Sequence, residues 1–318
     1  MGKQAIIIGS GGQDGLLLSE LLSEKGYGWM GLARHAVHLG GIEWHEAVDI
    51  TDAAQMARVI GAVRPDEAYH LAAYHHAAEG GTARTAEVLR HSLAVNVLSL
   101  GCLLEAVRNH SPATRVFYAS SSHVFGEPSQ EPQDEQTLLA PTTPYGISKA
   151  AGLMLCRVYR RQHGVFAAAG ILYNHESRYR PARFVSSRIV DGALAIQRGE
   201  RQELVLGRLD AEVDWGYAPE YVEAMHRIVQ QDAADDFVVA TGRKHSVRDF
   251  AAAAFAALGL DWRAHVREDP SLPLASHRGL VGDSSRLAAR TRWRAQVVLP
   301  ELAQRLVQDR GPQPGKTR

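Results

Sequence analysis

Hydrophobic positions in the first half of the chain follow two alternating patterns. Continuous apolar runs, such as residues 4–9, predict strands buried on both faces, and apolar positions three and four residues apart predict helices. The predicted strands are residues 4–9, 27–34, 66–73, 115–120 and 165–173. The predicted helices are residues 16–25, a segment from Thr51 or Asp52 to Val63, residues 87–108 and residues 145–163. This alternation predicts an α/β fold of the Rossmann type, with a doubly wound parallel sheet.

The regular alternation ends near residue 174. Beyond it the pattern predicts helices at residues 184–198 and 247–258, strands at residues 203–206 and 237–240, and a loop-rich segment at residues 265–280. These elements predict a smaller C-terminal α/β lobe. Residues 310–318 contain glycine, proline and charge, and we predict a disordered tail there.

Composition and charge narrow the class of protein. The chain has 318 residues with 35 basic and 35 acidic side chains, and a zero net charge argues against a nucleic-acid partner. No run of eighteen apolar residues occurs and the N-terminal apolar run is too short for a signal peptide, so we expect no membrane span and a cytoplasmic location. Cys102 and Cys156 lie in apolar helical patterns and are expected to be core thiols.

A glycine-rich turn follows the first predicted strand and opens the first predicted helix. Gly9, Gly12 and Gly15 are spaced G-x-x-G-x-x-G. The first glycine permits the tight turn, the second lets a pyrophosphate approach the backbone, and the third lets the helix pack on the sheet. The turn therefore predicts that residues 1–173 form a dinucleotide-binding domain, to which residues 210–245 return.

The residues at the end of the second strand are expected to decide between NAD and NADP, because an acid there would hold the ribose 2′-hydroxyl of NAD. Arg34 and His35 stand there instead, and an arginine suits the 2′-phosphate of NADP. NADP is therefore favoured over NAD, although an arginine can also stack on adenine. Asp49 and Ile50 stand just before the predicted helix that starts at Thr51 or Asp52, and Asp49 has two interpretations, a contact to the adenine edge or a helix cap.

Tyr145 and Lys149 form Y-x-x-x-K at the start of a predicted helix, which places both side chains on one face. A lysine ammonium beside a phenol favours the phenolate, which predicts a lowered pKa for Tyr145. Upstream, Ser120, Ser121 and Ser122 end a predicted strand, and a serine hydroxyl there can hydrogen-bond an alcohol. We predict that the tyrosine takes the hydroxyl proton while hydride leaves for a nicotinamide.

These residues together resemble the extended short-chain dehydrogenase/reductases, and further segments are similar to motifs of the GDP-mannose 4,6-dehydratase family. The segments are G-Q-D-G at 12–15, P-T-T-P-Y-G-I-S-K at 141–149, L-Y-N-H-E-S at 172–177, L-D-A at 209–211 with D-W-G at 214–216, A-T-G-R at 240–243 with S-V-R at 246–248, and L-V-G-D at 280–283. The resemblance covers residues 4 to about 305, and N-H-E-S and L-D-A-x-x-D-W-G are specific to this branch.

The resemblance implies an internal redox cycle in a sugar dehydratase. A sugar hydroxyl is oxidised to a ketone, water is eliminated beside it, and the hydride returns to the product, so that NADP or NAD is tightly bound and recycled. The implied cofactor-binding residues are Gly9, Gly12, Gln13, Asp14, Gly15, Arg34, Asp49, Ile50, Leu71, Ala72, Ala73, Tyr145 and Lys149. The implied substrate-binding residues are His75, Ser122, Asn174, Glu176, Arg188 and Arg208. Residues 174–209 and 246–309 become the substrate-binding lobe, and a homo-oligomer, a dimer or tetramer, is expected.

The chain departs from the family pattern at the group expected to drive elimination. Ser121 replaces the family's threonine and keeps the hydroxyl, whereas His123 replaces its glutamate. A histidine can remove the proton beside the ketone and protonate the leaving hydroxyl, because its ordinary pKa lies near neutrality. It can equally be a structural residue that ended elimination. The alternative to a dehydratase is then an epimerase or 4-keto reductase that uses the same Ser121, Tyr145 and Lys149.

Two further departures concern the substrate. Val213 and Pro273 stand where the resemblance places arginines that hold a substrate diphosphate. Losing both removes two charge-assisted contacts. Arg208 and a group of nearby arginines are candidates to compensate, and that group is Arg178, Arg180, Arg183 and Arg188. Two substrates therefore stay open, a GDP-mannose-like nucleotide sugar or, given the lost arginines, a nucleoside or glycoside without diphosphate, and the two losses favour the second.

Two other classes of function are less well supported by the sequence. The histidines at positions 70, 75, 76 and 91 lack cysteine or carboxylate partners at metal-ligand spacing, so no metal site is predicted. A cofactor-sensing protein without turnover is a third interpretation, and the intact set of Ser121, Tyr145 and Lys149 argues against it.

Overall fold

The computed structural model describes residues 2–33, 36–41, 47–74, 85–272 and 279–311. The elements of the first half are, in chain order, β1 (Gln4–Ile8), α1 (Gln13–Glu24), β2 (Gly28–Ala33), β3 (Ala36–Gly40), α2 (Ala53–Val63), β4 (Glu67–His70), α3 (Thr85–Leu93), a π-helical turn (Ala94–Leu98), α4 (Ser99–His110), β5 (Arg115–Ser121), a 3₁₀ turn (Ser122–Phe125), α5 (Pro144–His163) and β6 (Ala167–Leu172).

The second half mixes short strands with helices. Its elements are β7 (Asn174–Glu176), α6 (Val185–Gln197), β8 (Leu204–Leu206), β9 (Glu212–Val213), β10 (Trp215–Tyr217), α7 (Ala218–Val229), β11 (Asp236–Val239), β12 (His245–Ser246), α8 (Val247–Ala256), a 3₁₀ turn (Trp262–Ala264), β13 (Val266–Glu268), α9 (Ser285–Thr291) and α10 (Leu299–Arg310).

A seven-stranded sheet forms the centre of the molecule, in the order β11–β6–β5–β4–β1–β2–β3. Six strands run parallel, and β3 pairs antiparallel with β2 at one edge. The chain moves outward from β1 to β2 and then returns to the other side of β1 as β4. In such sheets, ligands bind at the carboxyl ends of the strands where the order reverses, here between β1 and β4. The predicted Rossmann-type fold is confirmed.

Apolar side chains cover both faces of this sheet. One core packs α2, α4 and α5 against the strands, and the opposite core packs α1 and α7 against them. A third core lies in the C-terminal part, where α6, α8 and α10 pack together around residues such as Ile189, Phe250 and Leu302. Strand β11 completes the central sheet beside β6, so the chain returns from the second lobe to the first.

The predicted elements agree closely with the observed ones in the first half. Asp52 caps α2 by accepting from the amides of Ala54 and Gln55, which fulfils the expected start of that helix. Cys102 and Cys156 are both buried free thiols, as predicted. The structure extends α10 through Arg310, so the sequence placed the start of the tail one residue too early, and residues 312–318 lie outside the described part.

The sequence predicted no membrane span, but one helical segment of the structure meets the length and hydropathy criteria for one. Thr85–His110 is long and apolar enough, by length and composition alone, to cross a membrane. Its Leu100, Leu103 and Val107 are fully buried in the core against the sheet, and a core helix passes the same test.

Candidate active site

The glycine turn lies between β1 and α1, and its three positions differ in why a glycine stands there. Gly9 has φ +97°, and a Cβ there would lie 2.5 Å from the amide nitrogen of Ala72. A Cβ on Gly15 would lie 2.4 Å from the carbonyl oxygen of Gly9. A Cβ on Gly12 would meet only that carbonyl, at 3.4 Å. The protein's own packing therefore requires Gly9 and Gly15, whereas Gly12 leaves open the approach to the first amides of α1, which fits a dinucleotide pyrophosphate.

The end of β4 lies against this turn. The amide of Leu71 donates to the carbonyl of Ile8 at 2.8 Å, and Ala72 is the residue that a side chain on Gly9 would strike. Ala73 is exposed beyond them. The predicted cofactor residues of β1 and β4 are thus adjacent at the carboxyl edge of the sheet.

The residues predicted to bind the adenosine part are only partly described. Asp49 accepts from the amide and hydroxyl of Thr51, at 2.9 and 2.7 Å, and so forms a local turn before α2. The cap of α2 itself is Asp52, so the alternative in which Asp49 caps the helix is wrong. Ile50 packs on the edge of the core. Arg34 and His75 lie outside the described residues, as does Pro273.

The four predicted catalytic residues meet at the carboxyl end of β5. Ser121 ends that strand, and the 3₁₀ turn after it carries His123. Thr143 caps α5 and places Tyr145 and Lys149 in its first turns. Ser121 and Tyr145 share a side-chain hydrogen bond, and the rings of His123 and Tyr145 are 5.6 Å apart, edge to face.

Lys149 is fully enclosed behind the tyrosine. Its Nζ donates to the carbonyl oxygen of Ala119 at 2.8 Å and lies 5.7 Å from the centre of the Tyr145 ring. The lysine is 2% exposed. The Y-x-x-x-K spacing has therefore placed the two side chains together, with the ammonium group held by β5.

Burial sets the pKa values here, and one expectation was wrong. Burial raises the pKa of Tyr145 to about 12, although the hydrogen bond from Ser121 and the charge of Arg180 oppose it. Burial therefore outweighs the lowering that Lys149 was predicted to cause, and it also lowers the pKa of Lys149 itself to about 7. Burial likewise lowers the pKa of His123, so its imidazole is neutral at pH 7 and can accept a proton.

Asn96 is a central residue that the sequence did not reveal. It lies in the π-helical turn between α3 and α4 and is fully buried. Its Oδ1 accepts from the amide of Tyr74 at 2.9 Å, and its Nδ2 donates to Oγ of Ser148 at 2.8 Å. Asn96 thus joins the segment after β4 to the residue before Lys149. A π-turn often marks a functional site, but hydropathy alone does not predict one.

The predicted substrate residues of the second lobe have protein partners of their own. Glu176 is buried, pairs with Nε of Arg180 at 3.1 Å and accepts from Ser186 at 2.6 Å. Arg208 forms a two-point ion pair with Asp210 at the surface, at 2.8 and 3.0 Å.

The remaining predicted substrate residues lie near strands. Arg188 donates to the carbonyl of Val205 at 3.3 Å. Asn174 starts β7, where it pairs with Trp215, and Ser122 is buried in the 3₁₀ turn. Their contacts with substrate stay predictions.

Asp214 connects three of the sequence motifs. Its carboxylate accepts from the amides of Thr241 at 3.0 Å, Gly242 at 3.1 Å and Gly282 at 3.3 Å. The D-W-G, A-T-G-R and L-V-G-D segments therefore converge on one buried acid. Beside it, Val213 packs against the apolar core of the second lobe.

The sequence model of the family described as GDP-mannose 4,6 dehydratase matches residues 6–306. The chain belongs to the GDP-mannose 4,6-dehydratase family. GDP-mannose 4,6 dehydratase 2 of Arabidopsis thaliana is 36% identical over 96% of this chain and 86% of its own length. The Vibrio cholerae GDP-mannose 4,6-dehydratase is 35% identical over 81% of this chain and 73% of its own. The prediction of an enzyme of the sugar dehydratase type is confirmed at the level of this family.

Solved structures share the fold of this family member. RMD from Pseudomonas aeruginosa, complexed with NADPH, has a TM-score of 0.81 at 19% identity and covers 96% of this chain and 98% of its own. dTDP-glucose 4,6-dehydratase from Bacillus anthracis, in complex with NAD, has a TM-score of 0.78 at 15% identity, covering 97% and 96%. The predicted nicotinamide cofactor agrees with both complexes, and the choice between NADP and NAD stays a prediction.

Proposed function

We propose that this chain is an NAD(P)-dependent sugar dehydratase in which His123 performs the elimination. The observation that carries the proposal is the meeting of Ser121, His123 and Tyr145 at the end of β5. A hydroxyl that contacts Ser121 and Tyr145 would have its neighbouring carbon beside the imidazole. Ser121 and Tyr145 then act on the carbon that is oxidised, and His123 acts on the carbon next to it.

Each side chain has a role that its surroundings support. Ser121 and Tyr145 hold the sugar hydroxyl, and the phenolate form of Tyr145 accepts the hydroxyl proton as the ketone forms. When bound, the nicotinamide accepts the hydride from the sugar and later returns it. In its protonated form, Lys149 favours this phenolate from behind the ring, with its Nζ 5.7 Å from the ring centre.

His123 acts in the middle of the sequence of steps. Its neutral imidazole takes the proton from the carbon next to the ketone and becomes an imidazolium. The imidazolium then gives that proton to the leaving hydroxyl, so that water departs and the imidazole is neutral again. The burial of His123 supports this order, because it favours the neutral form before the reaction starts.

The substrate is proposed to carry less phosphate than a nucleotide sugar, as a nucleoside or another glycoside would. Val213 contributes to an apolar core at one position of the missing arginines, and Arg208 is already neutralised by Asp210. Calorimetry with GDP-mannose tests the point. We expect weak or no binding, and tight binding would overturn this part of the proposal.

Reaction in heavy water tests the reaction class. A candidate substrate, chosen from nucleosides, glycosides and nucleotide sugars by thermal shift, is incubated with protein and cofactor and analysed by mass spectrometry. Loss of water with one solvent deuterium on the carbon beside the ketone supports elimination, because the returned hydride and a solvent proton saturate the new double bond. An unchanged sugar composition with inverted stereochemistry supports the epimerase alternative, and His123→Asn should then turn over normally. Turnover unaffected by Tyr145→Phe would contradict both.

The assembly and location are also proposals. Five exposed apolar residues on the long helical segments fit a homo-oligomer, a dimer or tetramer. They are Leu93 at the end of α3, Leu98 before α4, and Ile147, Met154 and Val158 on α5. Light scattering on the purified protein measures the number of subunits directly. The cytoplasmic location rests on the sequence alone.

A further inference from the structure

His175, in the middle of β7, contacts two groups that accept hydrogen bonds. Its Nδ1 lies 2.7 Å from the carbonyl oxygen of Tyr173, and its Nε2 lies 3.0 Å from Oδ1 of Asp14. The ring stacks on Tyr221, with centroids 4.6 Å apart and planes 19° from parallel. The imidazole is therefore fixed in position and in orientation.

These partners determine the protonation state of His175. A carbonyl oxygen only accepts, so Nδ1 carries a hydrogen, and an ionised carboxylate only accepts, so Nε2 carries one as well. An imidazole with both nitrogens protonated is a cation. Burial works against the charge of both partners, but their mutual attraction outweighs it, which lowers the pKa of Asp14 and raises that of His175.

Asp14 lies in the first turn of α1, where the glycine turn predicts the pyrophosphate. A carboxylate favours the start of a helix electrostatically but opposes a second anion at the same place. The negative charge of Asp14 also reaches the catalytic pair: it adds to the raised pKa of Tyr145 and partly opposes the lowering of the pKa of Lys149 by burial. Without a cation beside it, this acid would repel the diphosphate.

Gln13, next to Asp14, is also bound by residues in and just after β7. Nε2 of Gln13 donates to the carbonyl oxygen of His175 at 3.0 Å, and Oγ of Ser177 donates to Oε1 of Gln13 at 2.9 Å. Both polar side chains that open α1 are thus bound by the N-H-E-S segment, about 160 residues away in the chain. The two family motifs G-Q-D-G and N-H-E-S are in contact with each other.

We propose that His175 is a positioning residue of the dinucleotide site, an imidazolium that cancels the charge of Asp14 and fixes the first turn of α1 for the diphosphate of the cofactor. The inference rests on the proposed NAD(P) site.

The charge on His175 makes binding depend on pH. The charged or titratable groups around the imidazole are Asp14 on α1, Arg180 in the segment after β7, and Tyr221 on α7, whose burial keeps the phenol neutral. Because the pKa of His175 is raised, its cation persists to higher pH than that of an ordinary histidine and is lost as the pH rises through the raised value. The carboxylate of Asp14 then stands uncompensated, and the dinucleotide should bind more weakly.

Suppression by a second substitution tests the inference on the full chain. Calorimetry measures the dissociation constants of NADP⁺ and NAD⁺ for wild type, His175→Gln, Asp14→Asn and the double variant. His175→Gln keeps a neutral donor towards Asp14 but removes the positive charge, and it should weaken dinucleotide binding about ten-fold to a hundred-fold, the scale of one hydrogen bond to a charged group. Adding Asp14→Asn should restore most of the affinity, because it removes the uncompensated charge.

His265→Gln is the matched control. His265 also contacts a backbone carbonyl, that of Gln202 at 3.0 Å, and stacks on Phe255, but no carboxylate in the described part of the chain pairs with it. Its substitution should leave both dissociation constants unchanged. The pH series offers an independent measurement on stable proteins: the affinity of wild type should fall as the pH rises through the pKa of His175, whereas that of Asp14→Asn should not.

The possible outcomes distinguish a failure of the proposed role of His175 from a failure of the proposed dehydratase function. If wild type binds dinucleotide and His175→Gln binds equally well, or if Asp14→Asn fails to suppress the defect, the inference is wrong and the dehydratase proposal stands. If His175→Gln does not fold, an affinity of wild type independent of pH would overturn the inference in the same way. If wild type binds neither dinucleotide, both are overturned.

Discussion

Substitution of Gly12 by alanine separates what the fold needs from what the cofactor needs. Gly12 has φ −84° and ψ 170°, an extended conformation that alanine adopts freely. An added Cβ meets only the carbonyl oxygen of Gly9, at 3.4 Å. The substitution should therefore cost about 1 kcal/mol of unfolding free energy, the usual difference between glycine and alanine at a helix N-cap.

Dinucleotide binding should respond much more strongly than stability. The new methyl group occupies the space in front of the first amides of α1, which the pyrophosphate must approach. We expect the dissociation constant of NADP⁺ to rise at least about ten-fold, a loss of about 1.4 kcal/mol. Urea unfolding and calorimetry on the same preparations measure the two effects.

Gly15→Ala provides the contrasting control. Its Cβ would lie 2.4 Å from the carbonyl oxygen of Gly9 and 2.6 Å from Cα of Ser10, so backbone must move. Overpacking of this kind costs about 1–3 kcal/mol, offset by up to about 1 kcal/mol from the helix preference of alanine. An unchanged dissociation constant for Gly12→Ala, with the fold intact, would refute the assignment of this turn to the pyrophosphate.

Three further predictions concern the catalytic pair and the second lobe. Tyr145→Phe should lower turnover about 100-fold to 10,000-fold without unfolding the protein, as measured by product formation and circular dichroism. Lys149 has a folded pKa of about 7 against an ordinary 10.5, so between these values the unfolded chain binds the extra proton and stability rises with pH. The unfolding free energy of wild type minus that of Lys149→Met should therefore increase from pH 7 to pH 10, and a flat difference would contradict the burial argument. Arg310→Ala should destabilise the protein by about 2 kcal/mol in urea unfolding, because its guanidinium joins Asp191 and Ser187 at 3.0 and 2.9 Å, with Arg310→Lys intermediate.

The sequence predicted the sheet well because parallel strands buried on both faces leave continuous apolar runs, as in β1 and β6. It missed β7 and β10, which are three residues long and contain polar side chains. Such short strands are stabilised by the elements packed around them, so no local periodicity marks them. Helix α7 was missed as well, although Tyr221, Met225 and Ile228 are fully buried on it.

The sequence predicted which residues form the catalytic cluster, but it did not predict their burial, the direction of their pKa shifts or their ion pairs. Spacing alone placed Tyr145 beside Lys149, but it could not show that both would be buried, and burial reversed the expected direction of the tyrosine pKa. The ion pair of Asp14 with His175 joins residues 161 positions apart, beyond the reach of any local pattern. Each of these features depends on the tertiary environment rather than on neighbours in the chain.

The return of the chain to the central sheet has a consequence for synthesis on the ribosome. Strand β6 ends at Leu172, but its outer partner β11 begins only at Asp236, after much of the second lobe has been made. Until β11 emerges, the nascent chain presents β6 as an open edge of unpaired amides and carbonyls, the feature by which sheets aggregate. Helix α7, at Ala218–Val229, also arrives late to cover one face of the sheet. Fragments that stop before residue 239 should therefore need a chaperone or precipitate, even though they contain the whole glycine turn and the tyrosine–lysine pair.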